Sequence, residues 1–151
     1  MIARAAAVPG AGRSAPRLPV IRIVAAVVID GDGRTLLVRK HGTEAFMQPG
    51  GKVADGEQAI EALARELREE LGCGMRPGHR PLGGFCAPAA NEPDTLVEAE
   101  LFAVELEGPI VPAAEIEEAR WYHPDEQPAF ALAPLTRDHV LPLVRSWRER
   151  A

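Results

Sequence analysis

The stretch GGKVADGEQAIEALARELREELGC, residues 50–73, decides how this chain folds and what it can do. A glycine pair and an Asp55-Gly56 turn lead into apolar residues at helical spacing. Gly72 follows the last of them, as a helix-ending glycine does. On a helical wheel Ile60, Leu63, Ala64, Leu67 and Leu71 gather in one sector, the expected core face. Glu66, Glu69 and Glu70 lie three and four residues apart on an adjacent sector, with no lysine among them. Ala59 and Ala62 share that sector, where small side chains would leave room for a ligand, while Glu61, Arg65 and Arg68 take the outward one. Like charges at this spacing repel by about 0.2–0.5 kcal/mol per pair, so the cluster is either a solvated face or a cation site.

An ExxEE pattern alone reads as a solvated face, but its surroundings change that reading. Gly51 is followed after five residues by Glu57, and after seven more by Arg65-Glu66-Leu67. Then come Glu69-Glu70 and, one residue on, Gly72-Cys73. This pattern resembles the Nudix box, the signature of the Nudix hydrolase superfamily. All its fixed positions are filled, with Cys73 a small apolar stand-in for the usual aliphatic residue. Seven fixed residue types coincide by chance on the order of 10⁻⁹ per starting position.

Outward from this stretch, IRIVAAVVID (21–30) is a continuous apolar, β-branched run and reads as a buried strand. A Gly31-Asp32-Gly33 turn and the returning strand TLLVRK (35–40) make 21–40 a β-hairpin. Phe46 and Met47 are expected beneath the site, and Pro49-Gly50-Gly51 forms a rigid turn just before the helix. Further strands are expected over 82–88, over 95–106 with Glu98 and Glu100 on one face, and over 119–122 closing the sheet. A C-terminal helix is expected over 134–150, kinked or split at Pro142. Residues 1–19, rich in Ala, Pro, Gly and Arg, read as a flexible tail or an early start codon, and 20–151 as a single domain.

Periodicity gives only an α+β class. The resemblance implies the Nudix fold, a mixed β-sheet sandwiched between helices (an α/β/α sandwich). It implies Mg²⁺ or Mn²⁺ as cofactor, held by Glu66, Glu69 and Glu70 with Glu57 and the Gly51 carbonyl assisting. Oxygen donors suit such hard cations. Glu66, Glu69 and Glu70 are thus both metal-binding and catalytic candidates. Arg65, an i, i+4 partner of Glu69, would hold a glutamate in its ligating orientation. Glu115 is placed ahead of Glu117 and Glu118 as an additional ligand or base. Arg39 at the end of its strand, with Gly50 and Gly51, would meet the substrate.

Bulk properties narrow the partners. The 151 residues are 46% hydrophobic and 26% charged, with a net charge of −5. That acidity argues against a nucleic-acid polymer as partner, though not against a small nucleotide whose charge metal ions offset. The two cysteines, Cys73 and Cys86, form no CxxC, and His41, His79, His123 and His139 are scattered, so a zinc site or disulfide framework is not expected. No run suits a membrane span or secretory signal, so a cytoplasmic protein with reduced thiols is expected. The resemblance admits a homodimer, with Trp121, Tyr122 and Trp147 as core or interface residues. It implies hydrolysis of a nucleoside diphosphate linked to a moiety X. Nucleoside triphosphates, including oxidised ones, are placed ahead of ADP-ribose or another nucleotide sugar, for which Pro88, fifteen residues past the box, is a loose marker. A non-catalytic nucleotide-binding sensor and an interaction domain with a merely solvated acidic helix are the readings from other classes.

Overall fold

The computed structural model describes residues 17–149. Its spine is strand β1 (Val20–Val27), flanked on both sides. Strand β3 (Gly50–Lys52) pairs antiparallel with it, and β6 (Leu96–Ala103) runs parallel along its whole length. Strand β5 (Arg80–Pro88) completes the sheet as the antiparallel neighbour of β6. The result is a mixed sheet in the order β3-β1-β6-β5.

Burial on both faces explains the unbroken apolar run of β1. Val24, Ala26 and Val28 pack with Leu63, Leu67 and Leu71 of helix α1 (Ala59–Leu71). Ala25 and Val27 face the other way, towards Val140 and Val144 near the C-terminus. There Thr136–Val140 forms a π-helical turn that runs into helix α2 (Leu141–Glu149). The sheet is therefore held between helices, as the resemblance implied.

Several elements differ from expectation. The hairpin over 21–40 forms only at its tip. Asp30 N donates to Arg34 O at 2.9 Å and Leu36 N to Val28 O at 3.0 Å. Strand β2 (Thr35–Lys40) then pairs antiparallel with β8 (Ile116–Tyr122) instead. The reason is that β3 and β6 already occupy both edges of β1. Strand β8 consequently closes this second pair and not the main sheet. The strand expected over 95–106 breaks after Ala103, and Leu106–Glu107 (β7) pairs with Gly74–Met75 (β4). In the C-terminal helix the irregularity lies just before Pro142, where Leu141 N reaches back to Thr136 O. A proline next in line cannot donate the α-type bond, and the wider turn sits where that bond would be missed.

Helix α1 begins and ends as its sequence dictates. Glu61 Oε1 accepts from the Gln58 backbone N–H at 3.1 Å at the N-terminus. Gly72 takes the left-handed conformation with φ 70° and closes the other end on the Arg68 and Leu67 carbonyls. Ala62 leaves no room for a ligand, because it is fully buried, while half-buried Ala59 packs partly against the same core and partly borders an open surface pocket with Glu57 and Ile60. Of the expected tail, residues 1–16 lie outside the described residues, while the Pro19 carbonyl accepts from Leu96 N at 2.9 Å. Trp121 and Trp147 pack against the cores and Tyr122 is buried. No helix among the described residues is long and apolar enough to cross a membrane. Both cysteines are free thiols, as expected.

Candidate active site

The site forms where α1 crosses the Gly50-Gly51 backbone of β3. A Cβ on Gly51 would stand 2.4 Å from the Glu66 carboxyl carbon, so the carboxylate occupies the space that any other residue would fill. Gly50 is a glycine for another reason, since a Cβ there would meet Val24 O at 2.1 Å in the neighbouring strand. Its N–H donates to Glu70 Oε1 at 3.3 Å. The three box glutamates thus follow a burial gradient. Glu69 is 54% exposed, Glu66 17% and Glu70 only 5%.

Burial controls the chemistry of the inner two. Glu70 has its pKa pushed up to about 8, chiefly by desolvation, against the opposing Gly50 N–H, with the charge of Glu66 adding to the rise. Glu66 is also raised by burial, although Arg65 pulls the other way.

Arg65 is a clamp and not the outward residue that the wheel suggested. Its guanidinium donates twice to Glu57, both at 3.0 Å, and once to Glu66 at 3.0 Å. It also donates to the Lys52 carbonyl at 3.3 Å. Glu69, the partner expected from the i, i+4 spacing, is its most distant carboxylate at 3.6 Å. These bonds, with the Ala54 N–H, hold the Glu57 carboxyl below its ordinary pKa. Arg65 therefore ties the loop over 52–57 to the helix, and a lysine could not reproduce that fork.

Glu115 comes close enough to raise the pKa of both Glu66 and Glu70, and it pairs with Lys40 Nζ at 3.4 Å. Glu117 and Glu118 turn instead to Arg39, at 3.0 and 3.4 Å. Arg39 also donates to Thr43 O at 2.9 Å and does not line the cleft beside Gly50 and Gly51. Lys40 does line it. Strand alternation carries this signal, because Lys40 has the parity of Leu36 and Val38, which face the α1 core. The cleft holds about 770 Å³, counting its open mouth, and Ile21, Ile23, Met47, Val97 and Leu135 give it apolar walls. Gln48 and Pro88 line it too. Phe46 is buried, and Met47 lies both in the core and against the cleft.

The family model for the NUDIX domain matches residues 19–144, nearly the whole described chain. The chain belongs to the Nudix family. Among curated relatives, an RNA pyrophosphohydrolase of Halorhodospira halophila is 47% identical over 51 residues, which are 34% of this chain and 28% of that protein. An RNA pyrophosphohydrolase of Shewanella sp. (strain ANA-3) is 39% identical over 56 residues, 37% of this chain and 31% of the relative. The match thus spans less than a third of the length of these relatives. Among solved structures, the MutT protein of Methanosarcina mazei Go1 superposes with a TM-score of 0.70 at 23% identity, covering 89% of this chain and 99% of its own. The E. coli ORF135 protein superposes with a TM-score of 0.63 at 26% identity, covering 87% and 91%. A UDP-X diphosphatase superposes with a TM-score of 0.69 at 23% identity, covering 92% of this chain and 68% of its own.

Nudix hydrolases generally use divalent metals, and the donor set of this Nudix chain fits one. Glu70 and Glu66 place carboxyl oxygens beside the Gly50-Gly51 backbone, and oxygen donors of this kind suit a hard cation. Among the described residues, however, no three His, Cys, Asp or Glu side chains are gathered into a ready metal cage. Glu69 points outward, and Glu66 is held by Arg65.

Proposed function

We propose that this chain hydrolyses the diphosphate linkage of a nucleoside diphosphate joined to a moiety X, with Mg²⁺ or Mn²⁺ as cofactor. A nucleoside triphosphate giving the monophosphate and pyrophosphate is the leading substrate. The observation that carries this reading is the buried Glu70 carboxyl beside Glu66, in a chain whose box keeps every fixed residue. A protein that used α1 only for packing would gain by neutralising such a group.

In this reading Glu66 and Glu70 hold the metal, with Glu69 turning inward and the Gly51 carbonyl assisting. The metal supplies charge neutralisation for the phosphates and acidifies a water. Arg65 fixes Glu66 and braces the loop through Glu57. Lys40 at the cleft stands ready to pair with phosphate oxygens, which would release Glu115 from its 3.4 Å contact. Glu115 so freed is the candidate to take the proton from the attacking water. The apolar walls of the cleft exclude water from the rest of the substrate.

The names of the partial relatives support diphosphate-bond chemistry and add RNA as a substrate to assay. Pro88 lines the cleft, which keeps ADP-ribose as the second reading. The test is a coupled phosphate-release screen with Mg²⁺ or Mn²⁺ over nucleoside triphosphates, ADP-ribose, nucleotide sugars, dinucleotides and a 5′-triphosphorylated RNA. Pyrophosphate release from free nucleoside triphosphates is expected, with Glu69→Gln strongly impaired. Full turnover in that variant would remove Glu69 from the mechanism. Silence across the panel, with nucleotide binding retained, would favour a non-catalytic sensor.

A further inference from the structure

Gln48 has a buried donor that the proposed chemistry does not use. It lies just ahead of the Pro49-Gly50-Gly51 turn and is 5% exposed. Thr136 Oγ1 donates to its Oε1 at 2.8 Å, which anchors the amide to the π-helical turn and fixes its orientation. Its Nε2 has no hydrogen-bond partner. Thr35 Oγ1 is likewise unpartnered, but Thr35 does not line the cleft. Buried donors are normally satisfied, so an unmet pair of N–H groups at a cleft points to a ligand.

The surroundings say which chemistry that ligand has. Gln48 shares the cleft with Ile23, Met47, Val97 and Leu135, apolar walls suited to a flat ring. Gly50 and Gly51, which carry the Glu70 and Glu66 contacts, border the same cleft. A ring lodged there would sit beside the Gly50-Gly51 backbone, with Lys40 lining the same cleft.

We propose that Gln48 is a specificity-determining residue whose Nε2 donates to the carbonyl edge of a nucleobase in this cleft, favouring keto over amino bases. This rests on the nucleotide reading above. With Thr136 engaging the amide oxygen, Nε2 is the unpaired end of the side chain. A 6-oxopurine offers O6 and N7 as adjacent acceptors, whereas adenine sets an amino donor beside N7. Donor against donor leaves both unmet, and a site built to hydrogen-bond rejects such an analogue more sharply than shape alone does.

Inosine and adenosine triphosphates present this contrast at purine position 6. The measurement is kcat/KM for ITP and ATP with Mg²⁺ in the wild type, Gln48→Glu, Gln48→Met and Thr136→Val. The wild type is expected to prefer ITP by about tenfold or more. Gln48→Met brings the ratio near one, and Gln48→Glu, which exchanges donors for an acceptor, moves it further towards ATP. Thr136→Val frees the amide to turn and narrows the ratio. A wild type that treats both alike, or variants that keep its ratio, overturns the proposal. If neither triphosphate is hydrolysed, the reaction reading alone has failed. Dissociation constants for IMP and AMP in the metal-free proteins then decide. A preference for IMP that Gln48→Met abolishes supports Gln48, and equal or absent binding of the two overturns it. Gln48→Met buries no charge, so a failure of Gln48→Glu to fold does not affect the test.

Discussion

Gly50 and Gly51 are neighbours required for different reasons, and substitution separates them. A methyl group on Gly50 meets the backbone of Val24 and Ala25, at 2.1 and 2.7 Å, where nothing flexible can yield. Gly50→Ala is expected to lose about 1–3 kcal/mol of stability by overpacking. The atoms nearest a methyl group on Gly51 are all in the Glu66 carboxylate, at the end of a side chain that can swing away. Gly51→Ala should melt near the wild type and lose turnover, because Glu66 leaves its seat. Thermal melts and initial rates on both variants check this, and equal melting losses would contradict it. Glu70 makes a second prediction at this scale. Its folded pKa of about 8 lies above its ordinary 4.5, so the folded state holds a proton that the unfolded state has released between those values. Its stabilising share is complete below pH 4.5 and is lost as pH rises through 8. Glu66 shifts in the same direction, while Glu57, with a lowered pKa, loses its share only as pH falls below the ordinary range. The melting temperature in EDTA should therefore fall between pH 5 and pH 9, and saturating Mg²⁺ should flatten that slope. A flat or rising curve in EDTA would count against the burial of Glu70.

Helix α1 is the element on which both the core and the site depend. Leu63, Leu67 and Leu71 are fully buried against Val24, Ala26 and Val28, so the same helix packs the sheet and aims the glutamates. Leu67→Ala should cost about 2–5 kcal/mol, read from chemical denaturation. A cost below about 1 kcal/mol would mean that α1 is not packed as described. This helix was legible because its apolar spacing, turn and terminal glycine all agree. The pairing of β2 was less so. Local turn chemistry at 31–33 favours a hairpin, but strand edges are allotted by distant segments. Residues 96–103 and 50–52 claim both edges of β1, and no feature within 21–40 announces it. The same limit applies to Ala59 and Ala62, whose smallness fits close approach of either a ligand or a sheet.

At the scale of the whole molecule, the proposed site draws on four separated segments. The box supplies the glutamates and Arg65, β2 supplies Lys40, the segment before β8 supplies Glu115, and the π-helical turn anchors Gln48. The box was readable because its chemistry is local and its spacing fixed. Glu115 and Lys40 meet only through the β2–β8 pairing, which the sequence does not display, and Gln48 draws its interest from a bond 88 positions away. The central claim is that Glu70 is kept as a buried carboxylate for a divalent cation, at a cost to the metal-free fold. The most direct measurement is the rate of nucleoside triphosphate hydrolysis against Mg²⁺ concentration for the wild type and Glu70→Gln, with melts of both in EDTA at pH 9. The account predicts a wild-type rate that vanishes without metal and saturates with it. It also predicts a variant at least about 100-fold slower yet more stable in EDTA, because a neutral amide replaces a desolvated charge. A Glu70→Gln protein that keeps the wild-type rate and metal dependence would contradict it.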